Sequence, residues 1–250
     1  MIRFYSLCLT YKSKPFYGSF SIIIIVIVMQ EIIPHLEGKR VKIEYDTIAP
    51  MISLLFFHII PTFSHRRLFF VVYSDTICRR QTEIYRSISR TSEEITSILD
   101  RSYIIKIGKT GNVSFGTLYA HIPMGEPEVE LSELEDILSR LNRRDLIVFR
   151  GLYMIPEIYG KDVVKNILDV FDSIPQKATV IVSCRNSYED AVTRLMDKLF
   201  DVIIKIKRAE EMFFEGDNYY IGVKDSIIPE IKPGMSRYKI SHDGYLLKMV

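Results

Sequence analysis

The chain of 250 residues has no tryptophan and only three cysteines, Cys8, Cys78 and Cys184, with no CxxC pair. That excludes a disulfide-stapled scaffold and a thiolate zinc ribbon, and it points to a reducing, cytoplasmic compartment. The histidines at 35, 58, 65, 121 and 242 show neither HxH nor HxxxH spacing, and no GxSxG elbow accompanies them. Metal-dependent and serine hydrolase chemistry therefore find no support. A dominant charge is missing as well. The net charge is +2, and Arg3, Lys12 and Lys14 are the only charged residues before position 29, so the remainder holds 30 basic and 31 acidic residues. No global basic excess argues for nucleic acid or an anionic membrane.

Long hydrophobic runs are scarce. Ile22 to Val28 is seven residues long, against the ~20 that a spanning helix needs. Met29-Gln30-Glu31 follows at once, which is no small-residue cleavage site. The expectation is that residues 1–28 are an upstream extension or loose tail, with translation starting at Met29, ahead of an added strand or a membrane anchor. Residues 29–250 are then one domain, with no membrane association.

Apolar residues make up 48% and charged residues 26%, the balance of a chain that folds around its own core. Short apolar β-rich runs alternate with amphipathic stretches. Val41 to Tyr45, Leu68 to Tyr73, Tyr103 to Ile107, Leu146 to Phe149, Ala178 to Ser183 and Val202 to Lys207 read as strands. Helices are expected over 50–60, closed by Pro61, and over 76–89, 130–142, 161–174 and 188–200. Thr91-Ser92-Glu93-Glu94 fits a capping box with Thr91 at the cap and Glu94 answering it. Val113 to Ile122 reads as extended. Tyr219 to Val223, Arg237 to Ser241 and Tyr245 to Met249 are further strands, with Asp243-Gly244 as a hairpin turn. The fold class is α/β: a mostly parallel sheet covered by helices, with an antiparallel C-terminal β tail.

The first strand-to-helix turn, Glu44-Tyr45-Asp46-Thr47-Ile48-Ala49-Pro50, stands where a phosphate loop belongs. Such a loop needs G-x-x-x-x-G-K-[ST], so that backbone N–H groups and a lysine surround the phosphates. None of these residues is present, and Glu44 and Asp46 place negative charge there without a compensating lysine. The one Gly-Lys-Thr, Gly108-Lys109-Thr110, precedes an extended segment rather than a helix and reads as a β-turn. The acid that would hold Mg²⁺ after Leu146 to Phe149 is replaced by Arg150. No cofactor is expected, and ATP with Mg²⁺ enters only if an atypical loop is used.

Ligands of open α/β sheets bind beyond the carboxyl ends of the strands. The polar residues there are Asp46, Thr47, Ser74, Asp75, Arg150, Ser183, Arg185 and Asn186. One reading joins them into a pocket for a small polar or anionic ligand, met by Arg150 and Arg185, with Asp75 as a base or metal partner. The other leaves them as polar strand ends and helix caps.

The closing segments, Leu199 to Ile206, Tyr219 to Lys224, Arg237 to Ile240 and Asp243 to Leu246, resemble the last strands of KaiC-like members of the RecA superfamily. Gly38 to Tyr45, Ile104 to Gly108, and Gly111-Asn112-Val113 with Gly116 are similar to a small archaeal family first gathered from Pyrococcus genomes, domain of unknown function 257. The resemblance implies a RecA/KaiC-like sheet and carries no settled activity. Three functions remain open. The first is a non-hydrolytic module acting through self-association or a protein partner. The second is a nucleotide-dependent or DNA-associated ATPase in which Lys109 or Lys224 reaches the phosphates. The third is a nucleic-acid-binding protein using His65-Arg66-Arg67, Arg79-Arg80, Arg143-Arg144 and Lys205 to Arg208.

Overall fold

The computed structural model describes residues 29–185, 190–209, 218–240 and 247–249. Asn186 and the turn Asp243-Gly244 lie outside them. Ten strands form one sheet in the order β10-β9-β8-β7-β1-β6-β5-β2-β3-β4. These are β1 (Arg40–Tyr45), β2 (Leu68–Tyr73), β3 (Tyr103–Gly108), β4 (Thr117–Pro123), β5 (Leu146–Arg150), β6 (Thr179–Arg185), β7 (Val202–Arg208), β8 (Asn218–Ser226), β9 (Gly234–Ile240) and β10 (Leu247–Met249). From β7 across to β4 the pairs are parallel, and β8, β9 and β10 add on antiparallel. The expected α/β class with an antiparallel tail is therefore the observed one.

The apolar runs of β2 and β5 arise because both sheet faces are covered. Leu68, Phe70 and Val72 of β2 belong to one core and Phe69, Val71 and Tyr73 to the other. The first face is covered by α1 (Met29–Ile32), a 3₁₀ turn over Ile33–Leu36, and α2 (Ile48–Ile52). The last continues without a break through a π-helical stretch, Ser53–Ile59, into α3 (Ile60–Thr62). Next along the chain are α4 (Asp75–Ser89) and α5 (Glu93–Asp100). Here Phe56 of the π-helical stretch stacks on Phe70, with ring centroids 6.1 Å apart. The opposite face carries α6 (Pro127–Ser139), α7 (Met154–Tyr159), α8 (Val164–Ser173) and α9 (Asp190–Asp197).

Two local expectations need correction. Pro61 does not end the first long helix but sits inside its last turn. The helix also begins at Ile48, which makes Pro50 its third residue, a place where no intrahelical N–H is demanded. The capping box also fails. Ser92, in an extended conformation, accepts the Ile95 N–H, whereas the Thr91 hydroxyl donates back to the Ser87 and Ile88 carbonyls of the preceding helix.

Candidate functional site

Alternation along β1 sends Val41, Ile43 and Tyr45 toward α2 and Lys42 and Glu44 toward the opposite face. There Lys42, fully enclosed, lies 5.2 Å from the centre of the Tyr153 ring, and its ammonium donates to Glu44 at 2.8 Å and to Asp197 of α9. Lys224 of β8 reaches Glu44 at 3.2 Å and Asp197 at 3.5 Å, and Lys205 of β7 approaches Glu44 at 3.7 Å. Burial drives the Glu44 carboxyl upward, but Lys42 and Lys224 outweigh it and hold the group below its ordinary value. The expectation for Glu44 is thus overturned. Its charge faces away from the first turn and is answered by three lysines. Sequence reasoning missed this network, although a Lys and a Glu two apart in a buried strand were its visible signal.

The end of β3 is organised by a second enclosed cation. Lys106 is completely buried and donates to Asp75 Oδ1 at 2.9 Å and to the carbonyls of Thr110 and Asn112, both at 3.1 Å. Asp75, in the first turn of α4, also accepts the Lys109 N–H and the Thr110 hydroxyl, each at 2.8 Å. The Lys106 bond, joined by those two, holds the Asp75 carboxyl well below the ordinary carboxylate range. Asp75 is therefore the fastener of the Gly108-Lys109-Thr110 turn, and that turn leads into β4 rather than a helix.

Between these two lies a third cation. Arg150 ends β5 and is 7% exposed. One terminal guanidinium nitrogen donates to Ser183 Oγ at 2.6 Å and meets Met51 Sδ, in the first turn of α2, at 3.4 Å. Among the described residues no carboxylate pairs with it. Burial pushes its pKa down, opposed only by nearby Tyr45. Gly151 follows with φ of +89°, and a Cβ there would stand 3.0 Å from the Tyr73 carbonyl, so only glycine lets the chain leave β5 beside β2. Next door, Ser74 holds φ of 81° and caps α4 by accepting the Ile77 N–H.

Of the residues expected to share a pocket, Arg150 and Ser183 are joined directly. Asp46 and Thr47 form the turn into α2, where the Thr47 hydroxyl makes no cap bond. Arg185 is exposed at the end of β6. Asp75 belongs to the Lys106 cluster, and among the described residues no bond links it to Arg150. The basic clusters divide similarly. Arg67 grips Asp145 at 2.7 and 2.9 Å, and Arg66 bonds Glu37 and Thr179. The buried Cys184 thiol has its pKa pushed up to about 12 by burial, which removes it as a nucleophile. Among the described residues no helix is long and apolar enough to cross a membrane.

No family model matches the chain, and no curated protein matches its sequence. Solved structures do. A structural-study target from Pyrococcus horikoshii OT3 aligns with a TM-score of 0.59 at 17% identity, over 82% of this chain and 96% of that one. A KaiC-like protein from the same hyperthermophilic archaeon gives 0.56 at 11% identity, over 85% and 90%. The flagellar accessory protein FlaH from Methanocaldococcus jannaschii gives 0.50 at 9%, over 86% and 90%. At such identities the likeness shows the fold, which is RecA/KaiC-like.

Proposed function

We propose that this chain is a RecA/KaiC-like domain that does not hydrolyse nucleotide and acts by assembly, with copies of itself or with a protein partner in the cytoplasm. The degenerate first turn and the likeness to the Pyrococcus-type family of unknown function belong to the same reading. The observation that carries it is the pairing of two substitutions at one place. The turn Asp46 to Ala49 enters α2 with neither glycine nor lysine, and the residue ending β5 is Arg150, whose guanidinium reaches the first turn of that helix. A cation there repels the Mg²⁺ that a phosphoryl-transfer site requires.

The rival reading, an ATPase using an atypical loop, needs Lys109 or Lys224 to reach phosphates. Lys224 is engaged by Glu44 and Asp197, and the Lys109 backbone is tied to Asp75. Light scattering on size-exclusion fractions, run beside a Mg-ATP turnover assay, tests the proposal. A defined oligomer without turnover is expected. A monomer that binds and hydrolyses Mg-ATP would overturn it.

A further inference from the structure

At one end of the sheet three parallel strands begin side by side, Leu68 of β2 beside Leu146 of β5 and Phe69 beside Tyr103 of β3. Each is entered through basic residues: His65-Arg66-Arg67 before β2, Arg101 before β3, and Arg143-Arg144 ahead of Asp145 and β5. Arg67 and Asp145, 78 positions apart, bond across this end and make neighbours of two basic clusters that are distant in sequence. A cleft of about 230 Å³ opens there, with His65, Arg66, Arg67, Arg101 and Tyr103 in its walls and no acid among its described lining residues.

The acids beside the cleft are already engaged. Asp145 holds Arg67, Glu37 holds Arg66, and Asp100 accepts the Tyr85 hydroxyl at 2.7 Å. Arg67 spends Nε and Nη2 on Asp145, which leaves its Nη1 without a protein partner among the described residues. His65, Arg101, Arg143 and Arg144 are exposed, and among the described residues none of them pairs with a carboxylate. A cation behind a helix answers the carbonyls of its last turn. That accounts for Arg101 after α5, but not for a cleft walled by three arginines and a histidine. Aromatic rings adjoin these cations. The Arg67 guanidinium lies 5.3 Å from the centre of the Phe69 ring, and Tyr103 and Tyr119 pack on that ring at 5.1 and 5.2 Å. Tyr119 stands on β4, the edge of the sheet, and is 46% exposed.

We infer that the amino ends of β5, β2 and β3, with Tyr119 beside them, bind single-stranded nucleic acid. The backbone crosses the cleft at Arg67, Arg101 and Arg143, and a base stacks on Tyr119. A polyanion that carries flat rings uses both features at once, because arginines displace the counterions of its phosphates and an exposed tyrosine receives its bases. An acidic peptide would leave the tyrosine unused. Ligands of open α/β sheets gather at the carboxyl ends of the strands, so this surface is separate from the first turn and from Arg150. The inference goes beyond the assembly reading and neither requires an oligomer nor excludes one.

Fluorescence anisotropy of a labelled oligothymidylate, titrated with the full chain over a salt series, tests it. Binding at low salt that weakens as salt rises is expected. Arg101→Ala combined with Arg143→Ala should weaken binding at least about tenfold and reduce the salt slope by about 1.4, at about 0.7 per phosphate contact. Tyr119→Ala should weaken it at least about fivefold, and Tyr119→Phe, which keeps the ring, should bind as the wild type does. Arg79→Ala combined with Arg80→Ala removes equal charge from exposed positions of α4 and should leave affinity within about twofold. If Tyr119→Ala does not fold, the two arginine pairs decide. No binding at low salt, equal weakening by both arginine pairs, an unchanged affinity in Tyr119→Ala, or equally tight binding of polyglutamate overturns the proposal. Each of these outcomes leaves the oligomer and turnover measurements, and with them the assembly reading, where they stand.

Discussion

Lys106 and Arg150 carry positive charge to the same sheet face at the same end of the strands, yet the chain treats them in opposite ways. Around Lys106 it has spent an aspartate and two carbonyls, and the cation is sealed at zero exposure. Around Arg150 it has placed a serine and a methionine. The difference separates a charge that serves the fold from one that no acid answers among the described residues. Lys42, on the other face, falls with Lys106. Its ammonium meets Glu44 and Asp197, so removing it would leave both acids to the more exposed Lys224, with Lys205 near Glu44.

That contrast is broken most severely at Lys42. Lys42→Met should destabilise by about 3–5 kcal/mol, the range for breaking an enclosed ion pair, read as a shift in denaturant midpoint at unchanged slope. Lys106→Met should cost less, about 2 kcal/mol, since the Asp75 side chain it deserts is 41% exposed and can be rehydrated. Arg150→Met, measured beside them, should change stability by less than about 1 kcal/mol in either direction, because among the described residues no acid loses a partner. A loss as large as that of Lys42→Met would erase the distinction and make Arg150 a structural cation.

How much of this was legible follows from how local each signal is. The runs Leu68 to Tyr73 and Leu146 to Phe149 announced strands because both faces are covered, so no polar alternation obscured them. Arg150 was legible as a substitution at a strand end. Ser183, 33 positions away, was grouped with it as another polar strand end, whereas the apolar Met51, 99 positions away, was not. The Glu44 network was only partly hidden by distance: Lys224 is 180 positions away, but Lys42, two positions from Glu44 on the same strand face, was there to be read. The π-helical stretch Ser53–Ile59 carries no sequence mark, and the short helix Met154–Tyr159 hides behind its internal Pro156. Thr91 and Ser92 competed for one cap, and the extended backbone at Ser92 decided it.

Acid titration sharpens the comparison, because two carboxyls at the ends of β2 and β4 are shifted in opposite directions. Asp75 is held below its ordinary value of 3.8, chiefly by Lys106. Its contribution is therefore present above that value and is lost as pH falls toward the folded one. Glu130, enclosed beneath the turn after β4 and accepting the Gly125 N–H, is raised above 4.5 by burial, with Glu126 adding repulsion. Its contribution is full below 4.5 and is lost as pH rises through the folded value. Denaturant midpoints recorded across acidic pH should show Asp75→Asn flattening the low-pH fall. Glu130→Gln should remove the decline on the other side. Identical profiles for the two variants would refute the assignment.

The smallest effect concerns Ser74, which lies between Tyr73, whose carbonyl crowds Gly151 after Arg150, and Asp75, which holds Lys106. Its φ of 81° and ψ of 150° belong to a region that glycine occupies freely and serine does not. The hydroxyl offsets that strain by capping α4. Ser74→Ala keeps the strain and loses the cap, and should cost about 1 kcal/mol. Ser74→Gly also loses the cap but releases the strain, so it should lie within about 0.5 kcal/mol of the wild type. Thermal unfolding of the pair decides whether the serine is held for its hydroxyl alone. If alanine is tolerated as well as glycine, the cap contributes nothing and the positive φ is sustained by the Ser74 N–H bond to the Ile107 carbonyl at 2.8 Å.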